Sequence, residues 1–454
     1  MLLTLSAYDN IIRSYLENRS DWKTGQNLSE SGTVLQNSSY TFIKPRIVTS
    51  GDTTMMLFMD DDGSDGYNYQ HIYYSLFNRK TNSWEAPIRV DNSEYADLEY
   101  DVYADDSGIY IAYTKAGNIT AENYDDDENI LSGTEIYAAR YDFAEKHFVG
   151  HTNVSNNDSF DSNPHIVSDA VVWINNAVND VFMQNADNKL MISRRTESGW
   201  EVPSVISNSG ASITSMDMGI LDGNVYIALV RDTDCDLATD DDRQLEIIDT
   251  YGNVVHISTA ENGNDGVRFV NENGKSVLMW YNAGNIWRLT SIDKSPESLL
   301  NDTNPDLTGS FKYVQISENT SAVLYTKNNV GGSTGNSIYA VYCVNGIWGQ
   351  PVKLTEAKEA IYIDAFDSCV YNGKLLTGYL STKANITNST IIRNSDFMSS
   401  LIEPKDDLTI NGMRIIYSTL FSGDEISIDI GVTNLSWQAL RNIFVQIRDE
   451  SGSI

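Results

Sequence analysis

Apolar and polar positions along this chain fall into short strand-length runs that come in sets of four. Lys44-Pro45-Arg46-Ile47-Val48 opens the first full set, and Thr54-Met55-Met56-Leu57-Phe58-Met59 follows as a nearly continuous apolar run. Such a run fits a strand covered on both faces. A polar loop over 60–69 leads to His71-Ile72-Tyr73-Tyr74-Ser75-Leu76-Phe77, and a turn then leads to a strand containing Trp84. Four antiparallel strands joined by hairpins make a blade.

The set returns. Inner strands are expected again at 100–103, 163–167, 213–218, 267–270, 312–316 and 362–366. The outer strand has its own signature. Trp84-Glu85-Ala86-Pro87, Trp200-Glu201-Val202-Pro203 and Trp348-Gly349-Gln350-Pro351 each follow a polar turn and precede an aliphatic alternation. Pro gives no N–H to a ladder, so the motif belongs on an edge strand, and the Trp is expected to cap the end of the sheet. Seven inner strands at a period of about 50 residues predict an all-β chain, a seven-bladed β-propeller of four-stranded antiparallel blades.

The ends depart from the pattern. Residues 1–30 carry a strand, a turn and Trp22 with nothing before them, an orphan hairpin. The seventh set lacks a Trp-type fourth strand, Phe397 and Leu401 being weak substitutes, so the hairpin is expected to complete it and remove two free edges. An eight-bladed ring cut short is the alternative. The propeller then spans 1–403. In 405–454, Ile426, Ile428, Ile430 and Val432 alternate with polar residues, as in a half-buried strand. The segment reads as the start of an Ig-like β-sandwich, truncated because about 50 residues is half of the usual ~100.

Charge narrows the partners. The formal net charge is −32, which argues against nucleic acid or an anionic membrane. No run approaches the roughly 18 apolar residues of a membrane span. Met1-Leu2-Leu3-Thr4-Leu5 has neither a basic n-region nor an adequate apolar core, so no signal peptide is expected. Cys235, Cys343 and Cys369 are too few and scattered for a disulfide framework, and no CxxC pair is present for zinc.

Candidate chemistry concentrates in loops between the second and third strands. In the fourth blade Asp232, Asp234, Asp236 and Asp240 stand at positions 1, 3, 5 and 9 of one loop, a spacing that lets carboxylates converge on Ca²⁺. Leu237 and Arg243 occupy the places where an EF-hand needs Gly and Glu. The Asp-x-Asp-x-Asp-x-x-x-Asp spacing resembles the calcium loops of integrin-type propellers, which usually carry Gly in place of Leu237. An exposed acidic hairpin loop is the other reading. Blades one and two carry Asp60-Asp61-Asp62 and Asp125-Asp126-Asp127-Glu128 in equivalent loops, and these should gather on one face. Tyr67, Tyr69 and Tyr124 could stack on sugar rings or simply pack. No Gly-x-Ser-x-Gly elbow, HExxH, phosphate-cradling loop or sialidase Asp-box is present.

The Trp-x-x-Pro outer strands, the Ile-Tyr-x-Ala third strands and the acidic loops together resemble the propellers of large secreted or wall-attached bacterial proteins. The stretch from Gly423 to Asn434 is similar to the opening of a cell-adhesion-related (CARDB-like), Ig-type module. The resemblance implies an extracellular, monomeric piece of a larger modular chain. Its expected role is non-catalytic binding of a glycan or protein ligand, with calcium ordering the loops. The rival is a glycan-acting hydrolase at the channel mouth, using polar residues contributed one per blade, among them Arg46, Asp101, His165, Asp217, Arg268 and Asp364.

Overall fold

The computed structural model describes residues 33–37, 43–402 except for short connecting stretches, 408–416 and 427–434. The described chain is all-β apart from one short helix, and its antiparallel sheets are arranged as a β-propeller.

Six blades are built from consecutive strands, where the sequence pattern predicts seven. Blade one contains Arg46–Ser50, Thr53–Asp61 and Gln70–Asn78, and blade two Asp97–Asp105, Gly108–Lys115, Glu135–Asp142 and His147–Asn153. Blade three has Phe160–Val167, Ala170–Asn176 and Asn188–Thr196; blade four has Ser212–Leu221, Asn224–Asp232, Arg243–Asp249 and Val254–Ile257. Blade five has Asp265–Glu272, Lys275–Asn282, Asn285–Leu289 and Glu297–Ser298; blade six has Phe311–Ser317, Thr320–Asn328 and Asn336–Val344. Among the described residues, the last set, Ile361–Tyr371, Lys374–Thr387 and Thr390–Ile402, has no fourth strand of its own. Thr33–Asn37 pairs with Thr390–Ile402 and makes this sheet composite. The expected partner, the 1–30 hairpin, lies outside the described residues.

The Trp-x-x-Pro motif explains why blades one, three and six each have an outer edge in two pieces. Ser83–Trp84 and Ile88–Arg89 both pair with Gln70–Asn78, Gly199–Trp200 and Ser204–Asn208 with Asn188–Thr196, and Ile347–Trp348 and Val352–Lys353 with Asn336–Val344. Pro interrupts the donor row between the pieces. The Trp rings do more than cap a sheet. Trp84 packs toward the composite sheet and donates its indole N–H to Ser399 Oγ at 2.8 Å, and Trp200 and Trp348 pack against the preceding blades.

The core lies between blades. Each second strand is apolar on both faces, and Met55, Met56 and Leu57, or Val171, Val172 and Trp173, are fully buried side by side. The composite sheet shares one apolar cluster with blade six through Ile363, Phe366 and Leu375, and another with blade one through Ala365 and Leu380. Leu408–Ile416 and Ser427–Asn434 form a separate hairpin, with Ile410 opposite Val432 and Ile415 opposite Ile428.

The acidic stretch of blade two folds differently from the expected loop. Asp127–Ser132 is a helix, and Asp126 caps it by accepting a hydrogen bond from Asn129 N at 3.1 Å. Carboxylates at a helix N-terminus satisfy free N–H groups, and Ile130 and Leu131 supply the buried face.

Candidate functional site

Three places gather chemistry: the central channel, the loop face and the blade-four loop.

Inner strands deliver the channel residues. In blades two to five and in the composite sheet, the inner strand has a register shift just before its channel residue, for example between Ser162 and His165, and between Ile363 and Ala365. Bulges of this kind re-aim side chains. Asp101 stands opposite Ala112, Asp217 opposite Ala228 and Asp367 opposite Gly378. With so small a partner, each carboxylate can lean across to the next blade. Asp101 Oδ2 accepts from Ile166 N at 3.2 Å, Asp217 Oδ2 from Phe269 N at 2.7 Å, and Asp367 Oδ2 from Ile47 N at 2.7 Å.

The residue just before each stapled N–H carries a basic side chain: Arg46, His165 or Arg268. Acids and bases therefore alternate around the channel. Arg46 Nη2 lies 3.2 Å from Asp101 Oδ1, His165 Nδ1 lies 3.2 Å from Asp217 Oδ1 and 3.7 Å from Asp101 Oδ2, and Lys312 Nζ lies 2.7 Å from Asp367 Oδ1. Burial works to lower the Arg46 pKa, but Asp101, Asp367 and Asp217 together hold it above its ordinary value. Burial would raise Asp217, yet His165 and Arg268 hold it below the usual carboxylate range. Lys44 has the opposite fate: burial, with Arg268 and Arg46 close by, pushes it down to about 7. Glu99, two residues before Asp101, is pushed up by burial and accepts from Asn163 N at 2.7 Å.

The structure thus unites Arg46, Asp101, His165 and Asp217, with Arg268 beside them. The side chain of Asp364 lies outside the described residues. The sequence pattern alone does not single out Asp367 and Lys312 as site residues, although it carries one signal. Tyr100-Asp101, Met216-Asp217 and Phe366-Asp367 each set an Asp behind a bulky apolar residue mid-strand.

On the loop face, Tyr67 and Tyr124 are 45% and 40% exposed and stack on one another, with ring centroids 5.4 Å apart and planes 17° apart. They come from the loops of blades one and two. Asn68 ties those loops together, donating from Nδ2 to Ile119 O at 2.9 Å and accepting from Ile119 N at 3.3 Å. Tyr69 is buried.

In the blade-four loop, Asp232, Asp234 and Asp242 each bring one oxygen within 4.8 Å of the others, whereas Asp236 and Asp240 are not part of that group. Asp236 makes a local turn, donating its N–H to Asp234 Oδ1 at 2.8 Å, and the Asp240 carbonyl accepts from Gly263 N at 2.6 Å. Arg243 Nε reaches Asp232 Oδ2 at 3.3 Å. Asp232 Oδ1 and Asp242 Oδ1 are buried and make no hydrogen bond. Burial, with Asp242 and Asp234 as like charges, raises the Asp232 pKa even though Arg243 opposes it.

No protein-family model and no curated protein matches the chain. Several solved structures align with much of the chain at low identity. A protein of unknown function from Dyadobacter fermentans is 9% identical, with 82% of this chain and 98% of that one aligned at a TM-score of 0.44. The polysaccharide lyase Uly1 is 11% identical over 83% of this chain and 93% of its own, at a TM-score of 0.45. Trypanosoma rangeli sialidase is 11% identical over 82% of this chain and 58% of its own, at 0.41. Likeness this distant carries nothing about chemistry.

Proposed function

We propose that the protein is a non-catalytic binding and adhesion module of a bacterial surface protein, presenting its loop face to a glycan. The observation that carries this reading is the exposed Tyr67–Tyr124 stack, built from two blades and locked by Asn68. Aromatic faces held at low entropic cost are what sugar rings stack on. In this reading the composite sheet is the seventh blade, the hairpin after residue 407 opens an Ig-type spacer, and the chain is a monomeric extracellular piece. The acidic surface disfavours nucleic acid as partner, and no helix among the described residues is long and apolar enough to cross a membrane.

Calcium belongs to the same proposal, at Asp232, Asp234 and Asp242. Two buried carboxylate oxygens with no hydrogen bond form an all-oxygen set, which suits a hard cation.

Glycan-array binding of the chain against its Tyr67→Ala and Tyr124→Ala variants tests the proposal. Loss of an aromatic anchor is expected to weaken binding about tenfold or more, with the melting temperature unchanged. Full glycan binding by both variants would end the reading.

A glycan-acting hydrolase at the channel mouth is the second reading, and Glu99 favours it, because burial raises its pKa as a general acid requires. Against it, Asp101 and Asp217 are tied to neighbouring blades and to basic groups, and Asp217 is held ionised. Turnover of any array glycan, lost in Glu99→Gln, would decide for the enzyme.

A further inference from the structure

The centre of the channel holds a second, chemically different donor set. His165 is 5% exposed, and its Nδ1 is buried without a hydrogen bond. Its other nitrogen, Nε2, lies 3.2 Å from Asn163 Oδ1. Nδ1 faces Asp217 Oδ1 at 3.2 Å and Asp101 Oδ2 at 3.7 Å, and one donor atom from each of the three buried residues lies within 4.8 Å of the others. Two buried carboxylates converging on one imidazole nitrogen repel one another unless a cation stands between them.

We propose that Asp101, His165 and Asp217 form a binding site for one first-row divalent transition-metal ion, joining blades two, three and four at the channel axis. The separations fit. Donors about 2.1 Å from a tetrahedral ion lie roughly 3.4 Å from one another, and the two observed separations from Nδ1 bracket that value. The imidazole selects a transition metal over Ca²⁺, in contrast with the all-oxygen loop of blade four.

The supporting shell is also in place. A ligating histidine usually donates its other N–H, for which Asn163 Oδ1 stands 3.2 Å from His165 Nε2, and ligating carboxylates are themselves hydrogen-bonded. Asp101 is held by Arg46 and Ile166 N, and Asp217 by Phe269 N, each leaving lone pairs free. Three protein donors leave a fourth position of a tetrahedral ion for water or a ligand. The inference stands independently of the glycan-binding reading.

The test is titration of the chelator-treated full chain with Zn²⁺ by calorimetry, and with Co²⁺ by visible absorption. We expect Co²⁺ bound at the centre to give a tetrahedral ligand-field band that Zn²⁺ displaces. His165→Gln and Asp217→Asn should each weaken binding at least about tenfold. Asp217→Asn keeps an acceptor for Phe269 N, so it serves if His165→Gln fails to fold. Asp234→Ala, in the blade-four loop, should leave the band intact. Absence of Zn²⁺ binding would overturn the proposal, showing that a protonated His165 bridges the acids. Binding untouched in Asp217→Asn, or removed by Asp234→Ala, would overturn it as well.

Discussion

Replacing Asp367 tests whether the channel carboxylates tie one blade to the next. Asp367 is 4% exposed, and its Oδ2 accepts from Ile47 N at 2.7 Å, across the junction between the composite sheet and blade one. Asp367→Ala leaves that N–H buried and unsatisfied, at a cost of about 1–3 kcal/mol. Lys312 also loses its partner, but its side chain is 31% exposed and rehydrates, so this part is worth under about 1 kcal/mol. The total is about 1–4 kcal/mol, or roughly 1–5 °C in melting temperature for a body of this size. Asp367→Asn keeps an acceptor for Ile47 N and loses only the charge, so it should fall by about 1 kcal/mol. Urea and thermal unfolding of the three proteins give the comparison. Equal losses in Asp367→Asn and Asp367→Ala would refute the reasoning, because the charge rather than the staple would then be what matters.

Other expectations follow from the same packing and electrostatics. A Cβ on Gly219 would sit 2.2 Å from Phe269 Cγ; Gly219→Ala should therefore destabilise by about 1–3 kcal/mol through overpacking between blades four and five, measured as a lowered urea midpoint. Burial raises the Asp161 pKa from 3.8 to about 6, against the amides of Asn175 and Asn157. The folded state thus binds this proton more tightly than the unfolded chain, so ionised Asp161 costs about 3 kcal/mol above pH 6. Stability should recover as pH falls from about 6 toward 4, and urea midpoints across that range should show the slope in wild type and lose it in Asp161→Asn. Excess Ca²⁺ should raise the melting temperature over chelator, with the rise lost in Asp234→Ala.

What the sequence could show depended on whether the signal was local. Strand identity was local: period-2 and continuous apolar runs marked the inner and second strands of every blade, and Trp-x-x-Pro marked three outer edges. The split of those edges follows from Pro alone. Composite closure was only half legible. The missing fourth strand after 402 was visible, but Thr33–Asn37 carries no Trp and its pairing with Thr390–Ile402 is decided by geometry at the far end of the chain. The helix after Asp126 was hidden in the opposite way, because a run of acids reads as solvated loop until Ile130 and Leu131 are seen to be buried beneath it.

The channel shows why site residues were harder still. Asp101 and Asp217 lie more than a hundred residues apart, and their bulges rather than their spacing bring them to His165. One register step decides which Asp of the last inner strand serves. Asp364 falls at the shift between Ile363 and Ala365, whereas Asp367 falls opposite Gly378, where a neighbouring strand can be reached. The same rule separates structure from function in the ring. An Asp opposite Ala or Gly can hold the next blade with one oxygen and still present the other to a cation. The staples at Asp101 and Asp217 flank a basic side chain that cannot pair fully with both, and the Asp367 staple faces Lys312, which pairs with it directly. Binding capacity at the axis is therefore expected on the side of blades two to four, where His165 stands, and closure of the ring on the side of Asp367.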